Sequence, residues 1–540
     1  MNRLHVDRVV SLEVLVAGGG GAAARAAVAA AQHGARTGLA VKGAVGRCGS
    51  TAVAFGEITQ YAAATEPNDS PEQHFQDTVR AGKGLCDERL ARVLAEEAPL
   101  RLRDLVEWGV KFERLGDKIA TTQGFAHRVY RGLALELGLE RSLLVPILRQ
   151  IRARDIPVFE HVMIARILVD GGRVVGALGI DTKAREVVLF STPAVVLAVG
   201  GAHELYATSA TSGEMTGDGY AMAEEVGGEF VNMEFVQMGP CAFRPPYTAM
   251  AKPLWSLEPR LTNARGEEFL DRYLPKDVSR HDFFQTVEFP FTVHTIGRFL
   301  AIATASEVLA GRGTKRGGVF CDLTHLGART IQDRIPFTHR FYRSHGVDLA
   351  KHRVEYAIAA HCFHGGVRIN ERCETSVPGL YAAGETAGGL RGPQRPAGNS
   401  LAEGQVFGYR AGKFAAVHAR DAGVPEGKRT AALGRQSPLW PYPAPRDGLA
   451  ILSLKRKIQR LMSENAMVVK NAATLEVALS GLEQIEKEDL PRLPVTRESL
   501  ARAVAVKNLV RVGRRIVEAS IARKESLGGF YRDDYPVRDA

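Results

Sequence analysis

The segment His361-Cys362-Phe363-His364-Gly365-Gly366 concentrates reactive groups: two imidazoles three residues apart, with a thiol beside the first. That set fits a metal site, a nucleophile with its base, or the wall around a bound ligand, and the six residues alone leave all three open. A second segment, Gly18 to Ala23, has the spacing GxGxxA. Gly18 allows a tight bend, Gly20 lets the backbone approach a pyrophosphate, and Ala23 keeps a following helix close to its sheet. Where an acidic ribose-binding residue is common, Val41 and Lys42 stand instead, which makes Lys42 the candidate contact there.

These groups need elements to hold them. "EVLVA" reads as a buried strand, and Ala22 to Ala31 as a strongly helical run, so the glycine turn lies between strand and helix. The free N–H groups of that helix start would face the phosphates of a dinucleotide. The chain has 540 residues, too many for one simple core, with 45% hydrophobic and 24% charged residues, as in ordinary globular proteins. No apolar run is long enough to span a bilayer, and the N-terminal residues lack an apolar signal core, so a cytoplasmic protein is expected. Six scattered cysteines with no CxxC pair argue against a disulfide framework, a structural zinc and an iron–sulfur cluster held by the chain itself. The net charge of +10 is spread evenly, without a recognition helix or stacking aromatics, so nucleic acid is not an expected partner.

A second short strand, "GLYAAGE", ends in Gly384 and Glu385 and is followed by a glycine-rich loop and a helix starting near Ser400. Two such segments far apart in sequence suggest FAD, a cofactor long enough to touch both. With the blocks "AVGGAHELYATSATSGEMTGDGYAMAEEVGG", "HCFHGGVRINERCETSVPGLYAAGETAGG" and "ARKESLGGFYRDDYPVRD", the chain resembles the flavoprotein superfamily of fumarate reductase, succinate dehydrogenase and L-aspartate oxidase. The resemblance implies that Gly18, Gly20 and Ala23 hold the FAD pyrophosphate and that Ser50, Thr51 and Gly56 lie near the flavin ring. It implies that Asp218 and Glu385 contact the ribose and ribitol, and that Asn399, Ser400 and Leu401 line the pyrimidine edge. Ser50 stands where members with covalent flavin carry histidine, so non-covalent FAD is expected.

On the substrate side the resemblance implies that Arg280 is a proton-donating arginine and that His361 and Arg395 bind a carboxylate. His364 replaces a residue that is usually uncharged, and is expected to supply an acid–base group. The pattern also breaks: "QMGPC" puts Gly239 where dicarboxylate enzymes have a histidine, and their downstream Thr-Glu pair has no clear counterpart. Phe243, Tyr247, Trp255, Phe283 and Phe284 either make a more apolar pocket there or form the core of a small capping domain. The expected activity is hydride transfer between flavin and a C–C bond next to a carboxylate, on a substrate other than a simple dicarboxylate. Alternatives are a redox-neutral hydratase or lyase using reduced flavin on a substituted acrylate, or a flavoprotein like adenylylsulfate reductase alpha, which the capping region also resembles. A separate iron–sulfur subunit or reductase is the implied electron partner, and no metal site is expected.

The expected fold is α/β. Residues 1–233 and 346–424 form a discontinuous Rossmann-like FAD domain with a mostly parallel sheet, 234–345 an inserted α+β cap, 425–448 a proline-rich linker, and 449–540 a helical C-terminal domain.

Overall fold

Val14–Ala17 forms β1, and its four side chains are completely buried, because both helices and the antiparallel strands Val162–Asp170 and Arg173–Asp181 pack against its sheet. The structure, a computed structural model, describes residues 4–54, 60–136, 143–246, 248–250, 252–442 and 449–537. With β2 (Thr37–Val41), β3 (Val158–Glu160), β4 (Ala194–Leu197) and β10 (Leu380–Ala382), β1 makes a five-stranded sheet in the order β10-β4-β1-β2-β3. Every neighbouring pair in it is parallel. Strands from both halves of the chain therefore share one sheet, and their C-terminal ends meet at one edge, where such sheets bind ligands.

Helix α1 (Gly21–Gln32) follows the glycine turn, and its alanine face packs on α3 (Asn399–Ala422). Gly408 and Gly412 of α3 sit so close that an added Cβ would lie 2.6 Å from the Ala22 oxygen and 2.1 Å from the Ala26 oxygen. Small residues on both helices thus bring the two helix starts together at the sheet edge. Helix α2 (Pro71–Ala81), capped by Ser70, braces the loop before α3.

The cap is a second five-stranded sheet, wholly antiparallel, in the order β6-β5-β9-β8-β7. Its strands are β5 (Val236–Ala242), β6 (Thr248–Ala249), β7 (Arg260–Thr262), β8 (Val319–Asp322) and β9 (Val354–Phe363). Strand β9 carries His361 and leads straight back into the FAD-domain fold. Trp255, Phe283 and Phe284 are fully buried in the core beneath this sheet, and Tyr247 lies outside the described residues.

The C-terminal region folds as α4 (Ile451–Asn465), α5 (Ala472–Gln484) and α6 (Leu500–Ala522). Arg511 and Lys507 of α6 pair with Glu225 at 2.8 and 3.4 Å, which docks the helix on the FAD domain. No helix among the described residues is long and apolar enough to cross a membrane.

Candidate active site

A cleft runs from the ends of β1 and β2, over the start of α1, to the underside of the cap. At Gly18, φ is +125° and an added Cβ would lie 2.2 Å from the Ala198 carbonyl oxygen, so only glycine fits. The same added Cβ would also lie 3.2 Å from Ala23 Cβ. Gly20 caps α1 without a side-chain acceptor, leaving helix N–H groups available to an anion. The next N–H, of Gly21, donates to Thr51 Oγ1 at 3.1 Å.

Lys42 lines the cleft but already has partners. Its Nζ donates to Asp218 Oδ2 at 2.9 Å and to Thr216 Oγ1 at 2.5 Å. Asp218 also accepts from Asn508 Nδ2 of α6 at 2.9 Å, so the C-terminal region fixes a cleft residue 290 positions away. Glu385 lines both ends of the cleft, and its Oε1 accepts from the Phe363 N–H at 2.6 Å.

The first turn of α3 borders the cleft through Gly398, Ser400 and Leu401. Gly398 is left-handed (φ +79°) and no side chain caps the helix, so its positive dipole end faces the cleft. Asn399 points the other way: its amide bonds His74 Nε2 at 2.9 Å and Thr78 Oγ1 at 3.1 Å on α2. That contact belongs to a buried network beneath the loop. His127 Nε2 meets the Ala397 carbonyl at 2.7 Å, and Arg131, fully buried, pairs with Asp69 and Asp77 at 2.6 and 2.9 Å. Asn399 thus positions the loop rather than lining the cavity.

His361 reaches the cleft through a bulge. Gln237 pairs with Cys362 and Met238 with Ala360, which leaves His361 as the extra residue of β9. Bulges re-aim side chains in this way, and here the consecutive His361 and Cys362 both line the cleft. Burial, helped by Arg395 and His203, pushes the His361 pKa down to about 3, so the ring is neutral. His364 does not join it. Its Nδ1 bonds the Gly392 carbonyl at 3.1 Å, and the side chain is buried off the cleft wall. The two histidines of the opening motif therefore diverge.

Arg280 does not line the cleft either. It starts the short helix Arg280–Thr286 and pairs with Glu268 at 2.5 Å and Asp271 at 3.1 Å. Gly56 lies outside the described residues. Arg395 does line the cleft: Nη1 donates to the Pro396 carbonyl at 3.4 Å, and Nε has no partner among the described residues. Among the described residues it forms no ion pair with a carboxylate.

Sequence reasoning missed Arg391 and Glu403. Arg391 is buried on the cleft wall, pairs with Glu403 at 2.5 Å and donates to the Phe363 carbonyl at 2.6 Å. A usable signal existed: Arg391 stands four residues before Arg395 in the same loop, and Glu403 is in the first turns of α3.

Six buried polar atoms on this cleft have no partner among the described residues: Ser50 Oγ, Gln60 Oε1, Glu214 Oε2, Thr248 Oγ1, Gln405 Oε1 and Arg395 Nε. Buried polar atoms are rarely left unpaired, so their convergence on one cavity marks a polar ligand. With the glycine turn and two uncapped helix starts, this donor and acceptor set fits FAD. Parallel sheet, glycine turn and cleft together define a flavin dinucleotide-binding fold.

Comparison with known proteins gives the same class and narrows it. Residues 13–401 match the family described as FAD binding domain, and residues 455–540 the one described as Fumarate reductase flavoprotein C-term. The chain is 31% identical to a polypeptide named as one subunit of the fumarate reductase (CoM/CoB) of Methanothermobacter marburgensis, covering 97% of this chain and 94% of that one. It is 32% identical to L-aspartate oxidase of Streptomyces coelicolor, covering 99% and 91%. Sdh1 of Mycobacterium smegmatis superposes with a TM-score of 0.84 at 30% identity, over 99% of this chain and 90% of that one. The likeness to adenylylsulfate reductase of Archaeoglobus fulgidus is one of fold, with a TM-score of 0.72 at 19% identity. The chain belongs to the FAD-binding flavoprotein family of fumarate reductase, succinate dehydrogenase and L-aspartate oxidase, and is an FAD-dependent oxidoreductase.

Proposed function

We propose that the enzyme oxidises or reduces a C–C bond next to a carboxylate, with Arg395 holding that carboxylate. The observation that carries this reading is the contrast between the two cleft arginines. Arg391 already has Glu403, whereas Arg395 has no carboxylate among the described residues and a buried, unpartnered Nε. A half-buried guanidinium whose Nε is shielded from water gains from an anion, and a substrate carboxylate supplies one through charge-assisted bonds. Neutral His361 beside it offers a hydrogen bond but no charge.

FAD, held by Gly18, Gly20, Ser50, Thr51, Asp218, Glu385, Ser400 and Leu401, supplies the two-electron acceptor or donor. Ser50 offers no imidazole for attachment, so the cofactor is non-covalent. The α3 start and Arg395 put positive charge where negative charge would develop. Arg280, held outside the cleft by Glu268 and Asp271, would act there only if the cap moved. Electrons pass to or from a separate protein, in keeping with the Methanothermobacter relative's being named as one part of a larger enzyme.

The test is anaerobic. Photoreduced enzyme should regain oxidised-flavin absorbance when mixed with an α,β-unsaturated acid, and Arg395→Met should lose that response. Hydration of the acid without any change in flavin absorbance would overturn the redox reading. Acid precipitation should release the yellow colour, and colour retained on the protein would overturn non-covalent binding.

A further inference from the structure

Resting on the reading of Arg395 above, we infer that the cleft selects a substrate with one carboxylate and an uncharged, apolar far end, and that Phe289 sets this choice. Phe289 follows the short helix Arg280–Thr286, and its half-buried ring meets His361 edge-on, with centroids 5.0 Å apart at 89°. The same ring fills the space beside Gly239. A Cβ added there would lie 2.2 Å from Phe289 Cε2 and 2.8 Å from Cζ. Gly239 lies on β5 opposite Ala359 of β9, one short step along the pairing from the His361 bulge.

The two residues are therefore one device. Glycine at 239 leaves room on β5, and an aromatic ring from another segment fills it and packs against His361, which lines the cleft. No polar side chain can stand at 239 while Phe289 is in place. The described cleft lining includes Val53, Ala54, Leu143, Ala210 and Ala249 with the uncharged Thr211 and Thr248, and its arginines are Arg395 and Arg391, the latter already paired with Glu403. A second carboxylate placed among these groups would lose its hydration without gaining a cation, a cost that an alkyl or aryl group avoids.

Calorimetric titration of the oxidised, FAD-replete enzyme tests this without turnover, using 3-phenylpropionate and succinate, which share one carboxylate and differ at the far end. The phenyl acid should bind at least tenfold more tightly. Phe289→Ala should shrink that ratio below threefold, and Phe289→Leu should give an intermediate ratio and serve where the alanine variant fails to retain FAD. Succinate binding as tightly as the phenyl acid, or a ratio unchanged in Phe289→Leu, overturns the inference. If neither acid binds the wild type, or if Arg395→Met binds both as well as the wild type does, the reading of Arg395 fails and takes the inference with it.

Discussion

The two ends of the cleft are built on different principles. At the dinucleotide end the recognising groups are largely backbone: a turn at Gly18, the uncapped start of α1, and the first turn of α3. At the cap end the groups that line the cleft are side chains from separate segments, namely Thr248 on β6, His361 on the bulge of β9 and Arg395 on a loop, with Phe289 packed against His361. Backbone recognition constrains sequence tightly and locally, so it survives as a motif. Side-chain recognition can be rebuilt by exchanging residues far apart in the chain, as the Gly239 and Phe289 pair illustrates. The same contrast explains how one fold serves several reactions while its cofactor stays fixed.

Substitutions should separate the two ends. Gly18→Val should have the largest effect, because its Cβ would lie 2.2 Å from the Ala198 oxygen at an already left-handed φ. The purified variant should carry no FAD, as read by its absorbance, and a yellow variant would break the backbone account. Arg391→Met should come next, stranding Glu403 in the buried wall between the two ends. It should cost about 3–5 kcal/mol of stability in urea unfolding. Arg395→Met should spare FAD content and stability but weaken binding of a carboxylate by about 1.5–3 kcal/mol, roughly 10- to 150-fold.

A smaller, graded effect concerns pH. Burial holds His74 and His361 down to about 3, His127 to about 4, and His364 well below its usual value. Between about pH 6.5 and those values the unfolded chain binds more protons than the folded one, so stability falls as pH falls. Each histidine should steepen this by up to about 1.4 kcal/mol per pH unit. Unfolding free energies at pH 5 and pH 7 should show a smaller difference in His361→Asn than in the wild type. Thr248→Val should do least, within about 0.5 kcal/mol of wild-type stability, because its hydroxyl has no partner among the described residues.

Much of the molecule was legible in the sequence. Val14–Ala17, the glycine turn and the alanine-rich α1 announce a strand, a phosphate loop and a helix, because each is set by local propensity and steric need. His361 and Arg395 were legible for a different reason, since their glycine-rich contexts match a family pattern. The same pattern misplaced Asn399 and His364. Each lies one to three residues from a true cleft residue, and sequence distance does not tell which way a side chain turns. Asn399 faces α2 because His74 and Thr78 offer it partners, and His364 faces the Gly392 carbonyl. Arg280 likewise looks catalytic until Glu268 and Asp271 are seen around it.

The sequence by itself determined the parallel sheet, the dinucleotide turn and the family, because these rest on residues close together whose backbone requirements few other types satisfy. Only the tertiary structure decided which polar groups face the cleft, that Asn508 braces Asp218 across 290 positions, and that Phe289 occupies the gap at Gly239. Those facts depend on packing between segments that carry no mark of one another in the chain, and close packing is a property of the folded whole.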